Sequence, residues 1–241
     1  RSTLFPYTTL FRSPYSDEGV FVAEGPKLIN ELLQADNIQP QQIFALEEWI
    51  TQNPVADPAV PVPVSLAELE RVSFQQTPNQ VVGIFSKPVF SDTIPWNNAV
   101  SLMLDTIQDP GNMGTIMRSA DWFGVQRIVC SPDSADVFNP KVVQSSMGSI
   151  SRVQVFYEDL DAFLDEHNNV PVYAATLNGT DLYSFSGIQS GIILIGNESK
   201  GIQQNLLDKS RYRITIPRKG KAESLNAAVA TGIILSHISR L

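Results

Sequence analysis

The side chains best placed to hold a ligand in this 241-residue chain follow two apolar runs near its end. Ile192 to Ile195, four aliphatics, stop at Gly196 and give way to Asn197-Glu198-Ser199-Lys200-Gly201. Ile214-Thr215-Ile216 stops at Pro217, which has no N–H to give a sheet ladder. A basic bend follows, Arg218-Lys219-Gly220-Lys221, then Glu223-Ser224-Leu225-Asn226 and an apolar run to His237. Glycine at each end of the first loop lets the backbone turn sharply and lets a ligand approach. Ligands of parallel α/β sheets collect at the carboxyl ends of strands. Ser224 also reads as an N-cap for the last helix. Strand–glycine–loop is common in α/β proteins, so spacing alone points to a polar ligand site and leaves the ligand open.

Several chemistries lack their signature. There is no G-x-x-x-x-G-K-[ST] loop for a nucleoside triphosphate and no G-x-G-x-x-G for a dinucleotide. No Cys/His cluster has metal-ligand spacing, so no metal is expected. The single cysteine, Cys130, lies in an apolar strand and reads as a buried thiol in a reducing, cytoplasmic setting. No apolar run reaches the ~18 residues of a membrane span. His167 and His237 have no partner in sequence.

The elements that must position the site alternate strand and helix, which predicts an α/β fold with a mostly parallel sheet. Residues 1–13 lack a signal-peptide pattern. Thr3–Ser13 resembles a translated sequencing adapter, so these residues are expected to be non-native, with the authentic start missing. An N-terminal domain is expected over 14–86. Its strands are read at Val20–Ala23, Gln42–Leu46 and Val81–Phe85, with a helix from Pro26 to about Ala35. A proline-rich loop is read over Asn53–Val64, and a helix over Ser65–Val72 with Ser65 as cap. Residues 87–98, with Pro88 and Pro95, read as a linker, and 99–241 as the second domain. There, strands are expected at Val100–Leu104, Arg127–Cys130, Val153–Phe156 and Val172–Thr176. Asn112 is expected to cap a helix Met113–Phe123 that carries Arg118 as a solvated charge. Asn139 is expected to cap the next helix, and a further one spans Asp159–His167. Gln144–Ser149 is small and polar, as where backbone approaches a partner.

Net charge is −8, unevenly spread. Residues 1–96 carry 5 basic and 11 acidic side chains, and residues 97–241 carry 12 and 14. Between Lys209 and Lys221 stand six cations and no acid, a local patch suited to phosphates.

Three motifs in order carry a family resemblance. Asn112-Met113-Gly114 with Arg118, then Gly196-Asn197-Glu198-Ser199-Lys200-Gly201, then Ile216-Pro217 with Ser224-Leu225-Asn226, resemble those of the SpoU-type RNA ribose 2′-O-methyltransferases. The match runs from about Ala99 to Leu241. Phe21-Val22-Ala23-Glu24-Gly25 is similar to the start of the small substrate-binding, ribosomal-protein-like domain attached to many of them. The resemblance implies a C-terminal domain tied into a trefoil knot and methyl transfer from S-adenosylmethionine to a ribose 2′-hydroxyl. It implies an acceptor site of Asn112, Arg118, Glu198, Ser224 and Asn226, and a cofactor site of Thr176, Leu177, Gly196, Ile216 and Leu225. Arg218, Lys219 and Lys221 are expected to meet RNA, ribosomal RNA ahead of tRNA. Arginine is effectively always protonated, so Arg118 is read as orienting a phosphate and stabilising an alkoxide. A non-catalytic RNA-binding or assembly protein is the competing class. The last helix, read over Ser224–Arg240, is apolar on more than one stripe, and a homodimer built by this domain is expected.

Overall fold

Apolar β-branched runs bounded by turn residues account for most of the strands, and the helices between them cover the sheet faces. The computed structural model describes residues 19–54, 60–75, 77, 79–90, 95–185 and 187–239. Residues 1–13 and Arg240 of the expected last helix lie outside them. The chain forms two compact units.

The first unit runs β1 (Val20–Glu24), α1 (Pro26–Leu32), β2 (Pro40–Ala45), α2 (Glu47–Gln52), β3 (Val62–Pro63), α3 (Leu66–Val72) and β4 (Val81–Ser86). Its sheet has the order β1-β4-β2-β3, antiparallel except for β2 with β3. Val22, Phe44, Val64, Leu69, Val72, Val82 and Ile84 form one of its buried clusters. Ser65 caps α3 as expected: its backbone N–H and hydroxyl both donate to Glu68, at 3.0 and 2.9 Å. α1 stops at Leu32, short of Ala35, and β3 interrupts the proline-rich stretch that was read as loop. The short helix α2 has no expected counterpart.

The second unit is built on β5 (Val100–Leu104), α4 (Pro110–Trp122) and β6 (Arg127–Cys130). After α5 (Pro140–Ser146) come β7 (Gln154–Tyr157), α6 (Leu160–Glu166), β8 (Val172–Asp181) and β9 (Gly191–Ile195). The chain closes with α7 (Gln204–Lys209), β10 (Tyr212–Thr215) and α8 (Ala227–Ile238). Its six strands are all parallel, in the order β10-β8-β9-β5-β6-β7. β9 and β5, at the centre, are buried almost throughout, as continuous aliphatic runs in parallel sheets require.

Phe138–Ser151, which carries α5, groups with the first unit. Phe138 lies 5.7 Å from the Phe21 ring. Gly148, at φ 88°, leaves the place of a Cβ to the Glu31 carboxyl. The small polar stretch Gln144–Ser149 is thus where backbone meets this chain's own α1 side chain.

Three boundaries move in ways that matter for the site. α4 starts at Pro110 with Asp109 as cap, so Asn112 is inside the helix and is not its cap. α8 starts at Ala227 with Asn226 as cap, so Ser224 is not a cap. β8 continues to Asp181 through the residues expected to form a loop after Thr176. In each helix two residues could cap, and proline at the first helical position favours Asp109 over Asn112.

Candidate active site

Side-by-side parallel strands put the loops after β5 and β9 at one edge of the sheet. The loop after β5 leads into α4. Asp109 accepts the Asn112 backbone N–H at 2.8 Å, which frees the Asn112 side chain. The loop after β10 leads into α8, where Asn226 Oδ1 accepts the N–H groups of Ala228 and Val229 at 3.0 and 3.2 Å. Asn226 Nδ2 donates to Asn112 Oδ1 at 2.9 Å. Asn112 Nδ2 in turn donates to Glu198 Oε1.

The result is one directed chain: helix N-terminal amides, Asn226, Asn112, Glu198. Both of its ends have fixed polarity, because a backbone N–H only donates and a carboxylate only accepts. The two amides therefore have a single self-consistent orientation. The N-terminus of α8 and the Glu198 carboxyl stand at opposite ends of that chain. Among the described residues Glu198 Oε2 has no hydrogen-bond donor, so it is open to accept from a ligand.

Glu198 sits in a closed loop. Asn197 and Gly201 exchange backbone hydrogen bonds of 3.1 and 2.9 Å. Asn197 Oδ1 accepts from the N–H groups of Ser199 and Lys200 at 2.9 and 3.1 Å. A Cβ on Gly196 would come within 2.5 Å of the Gly201 carbonyl carbon. Glycine is required at 196 by the loop's own closure.

Beside this loop is a cavity of about 1110 Å³ whose wall includes Thr176, Leu177, Gly196, Glu198, Ile216, Ser224 and Leu225. β8 opens it. Its register with β10 jumps from Ala174 opposite Arg213 to Thr180 opposite Ile214. Residues 175–179 thereby leave the β10 ladder, and Ala175 to Asn178 line the space. A Cβ on Gly179 would meet the Arg213 carbonyl oxygen at 2.6 Å, so that strand passes β10 too closely for any side chain. Thr176 Oγ1 is buried with no hydrogen-bond partner among the described residues, and Leu177 is 70% exposed. A buried hydroxyl left unpaired is costly unless a ligand satisfies it. Leu177, Ile216 and Leu225 with one unsatisfied hydroxyl and loop backbone suit an uncharged heterocycle, so this part of the wall fits the adenosine part of S-adenosylmethionine.

The structure does not gather every expected residue. Arg118 is exposed, with no hydrogen-bond or ion-pair partner among the described residues. Six positions along α4 place it roughly 120° round the helix from Asn112. Ser224 lines the cavity but is exposed. Arg218 and Lys219 also line it, and Arg218 donates to the Ala222 carbonyl at 3.0 Å. Lys221 is exposed outside that wall. The far end of the basic run is not free: Lys209 pairs with Asp161 and Asp165 at 2.9 and 2.7 Å. Its bonds to Asp165 and then Asp161 raise the Lys209 pKa, and the bond from Lys209 lowers that of Asp161. The six-cation patch is thus shorter than its spacing suggests, because α6 brings acids to it. Cys130 is fully buried, and burial pushes its thiol pKa up.

Sequence reading passed over Asn197, Asp105 and Gln203, which build the loop around Glu198. No helix among the described residues is long and apolar enough to cross a membrane. No group of three or more His, Cys, Asp or Glu among them is arranged to hold a metal ion.

Comparison with known proteins relates both parts of the chain to RNA methyltransferases. The sequence model of the MRM3-like substrate binding domain matches residues 15–83. The 23S rRNA (guanosine(2553)-2′-O)-methyltransferase RlmP of Bacillus subtilis is 31% identical over 221 residues, covering 90% of this chain and 88% of that protein. A solved TrmH-family structure from Porphyromonas gingivalis superposes with a TM-score of 0.84 at 33% identity, over 100% of this chain and 98% of that one. The AdoMet-bound rRNA methyltransferase of Sinorhizobium meliloti gives 0.84 at 28% identity, over 99% and 96%. The model of the SpoU rRNA Methylase family matches residues 99–236, more than half of the chain, and the chain belongs to that family.

Proposed function

We propose that this protein methylates a ribose 2′-hydroxyl of ribosomal RNA, using S-adenosylmethionine and no metal. The observation that carries the reading is the hydrogen-bonded chain Asn226–Asn112–Glu198 at the edge of a cavity with an unpaired hydroxyl. Bound S-adenosylmethionine supplies an electrophilic methyl group. Thr176, Leu177, Gly196, Ile216 and Leu225 hold and shield it. Ser224, Asn226 and Asn112 orient the acceptor ribose, and Glu198 Oε2 receives the hydroxyl proton as the oxygen attacks.

Arg118 cannot be that base, since a guanidinium holds its proton throughout. Its exposure suits a role across a two-fold axis, in which Arg118 of the partner subunit binds the acceptor phosphate and stabilises alkoxide charge. Arg218, Lys219 and Lys221 contact the RNA backbone. We assign residues 14–86 to RNA binding, 87–98 to the linker and 99–241 to methyl transfer, the last with the family's trefoil knot, in the cytoplasm. The RlmP relative acts on 23S rRNA by its name, which favours ribosomal RNA over tRNA here.

The test is transfer of labelled methyl from S-adenosylmethionine to an unmodified 23S rRNA transcript, followed by mapping of the ribose. Label on a base, or on tRNA alone, overturns the substrate. No cofactor binding by calorimetry at millimolar concentration supports the non-catalytic class.

A further inference from the structure

Two adjacent residues at the end of β5 reach both ends of the loop that carries Glu198. At its start, Asn197 Nδ2 donates to the Thr106 carbonyl at 2.9 Å. At its far end, Gln203 donates twice to Asp105: its backbone N–H to Oδ2 and its Nε2 to Oδ1, each at 2.7 Å. Asp105 is 0% exposed, and its donors among the described residues are all neutral. Burying a carboxylate is costly unless its oxygens are satisfied. Gln203 presents two donors, and the Asp105 carboxyl meets each with a separate oxygen. An amide in its place accepts at one atom only.

Thr106 is itself held hard. It stands at φ 60°, a left-handed conformation that is strained for a β-branched residue. Its N–H donates to Ser131 Oγ at 2.8 Å, and its hydroxyl lies 3.0 Å from Asp105 Oδ1 and 3.2 Å from Asp133 Oδ2. Such a twist persists only where the surroundings over-determine it, and here it aims the Thr106 carbonyl at Asn197. The same β5 end leads through Asp109 into α4 and so to Asn112. One segment therefore sets the frame for both partners of the Asn112–Glu198 contact.

We propose that Asp105 is a positioning residue for methyl transfer, clamping the Glu198 loop with Thr106 through Gln203 and Asn197. This rests on the reading of Glu198 as a group that meets the acceptor. Surface loops are mobile by default, and an ångström of misplacement in a catalytic group costs about a hundredfold. Asp105→Asn leaves Gln203 with one acceptor for two donors. The pair Asp105→Asn with Gln203→Glu sets amide and carboxylate the other way round and restores both bonds.

The experiment compares wild type, Asp105→Asn, Gln203→Glu and the double variant. It reads labelled methyl transfer to a 23S rRNA transcript and hydrogen exchange of the 196–204 segment without cofactor. The expected result for Asp105→Asn is a kcat at least tenfold lower, with KM for RNA and for S-adenosylmethionine within threefold. Exchange in 196–204 rises, exchange in 227–238 does not, and the double variant recovers most of the rate. An unchanged kcat, unchanged exchange, or no recovery overturns the clamp. If Asp105→Asn does not fold, Asn197→Asp replaces it and must show the same split between kcat and KM. Glu198→Gln is the control for the underlying reading: full activity there removes the catalytic site assignment, and with it any positioning role for Asp105. Inactive Glu198→Gln beside active Asp105→Asn removes the clamp alone.

Discussion

Asn226 and Asn112, 114 residues apart, meet through a 2.9 Å hydrogen bond whose direction is set by what each touches next. Asn226 must accept from the amides of α8, and Asn112 must donate to Glu198. Asn226 therefore does two separable jobs, a helix cap and a link in the site.

Substitutions can separate them. Asn226→Asp keeps an acceptor for the α8 amides and loses the donor to Asn112. It should remain within about 0.5 kcal/mol of wild-type stability, while Asn226→Ala should lose about 1 kcal/mol as an uncapped helix does. Both should lose methyl transfer, by roughly a hundredfold or more. Urea unfolding beside methylation kinetics checks this, and a fully active Asn226→Asp would remove Asn226 from the site.

Glu198→Gln retains an oxygen to accept from Asn112 and loses the capacity to take a proton. Turnover should fall by roughly 10²–10⁴ if Glu198 receives the 2′-hydroxyl proton. Loss of cofactor affinity with unchanged single-turnover rate would place Glu198 in cofactor binding instead.

How far the sequence revealed this arrangement depended on distance along the chain. β5 and β6 were legible to the residue, because each is a short apolar run with a turn residue after it. The helices α2 and α7, of six residues each, are too short to show a helical period. The roles of Asn112 and Asn226 came from motif resemblance. Their local chemistry reads equally well as capping, and only the fold shows that one caps and the other does not. Asp105 and Gln203 were silent, since a contact spanning 98 residues leaves no local pattern. Lys209 was misjudged for the same reason: its acids lie on α6, 44 and 48 positions upstream.

The ionic contacts of the basic run give a salt-dependence test. Each phosphate contact removed should lower the log–log salt slope of RNA binding by roughly 0.7–0.9. Arg218→Ala with Lys219→Ala should reduce the slope accordingly. Lys209→Ala should not, because Asp161 and Asp165 already hold that ammonium. A slope unchanged by the Arg218/Lys219 pair would take the bend out of the RNA interface.

The acceptor itself can be removed. An RNA carrying a single 2′-deoxy nucleotide at the mapped target should bind within roughly tenfold of the parent, since one hydroxyl contributes a net ~0.5–1.5 kcal/mol at most. It should accept no methyl group. Methylation of the deoxy substrate would point to a base as the acceptor.

The last prediction concerns assembly. α8 buries one stripe, Ala227, Ala228, Thr231, Ile234, Leu235 and Ile238, so a single face is covered within the chain. Val229 is 51% exposed on the same helix, and Gly232 and Ile233 are half-buried. Neighbouring α4 leaves Trp122 82% exposed and Arg118 unpaired among the described residues. Gly232 faces Ser119 of α4, with 4.0 Å between a would-be Cβ and Ser119 Oγ, so the two helices pack here. Apolar side chains left open on both helices suit a two-fold partner, and two-fold dimers are the commonest soluble assembly. Light scattering at micromolar concentration should give about twice the 26.5 kDa chain mass. Val229→Asp should shift that species toward the monomer. It should also reduce methyl transfer, because Arg118 of the partner subunit would be withdrawn from the acceptor phosphate. A fully active 26.5 kDa species would refute both the dimer and the shared arginine.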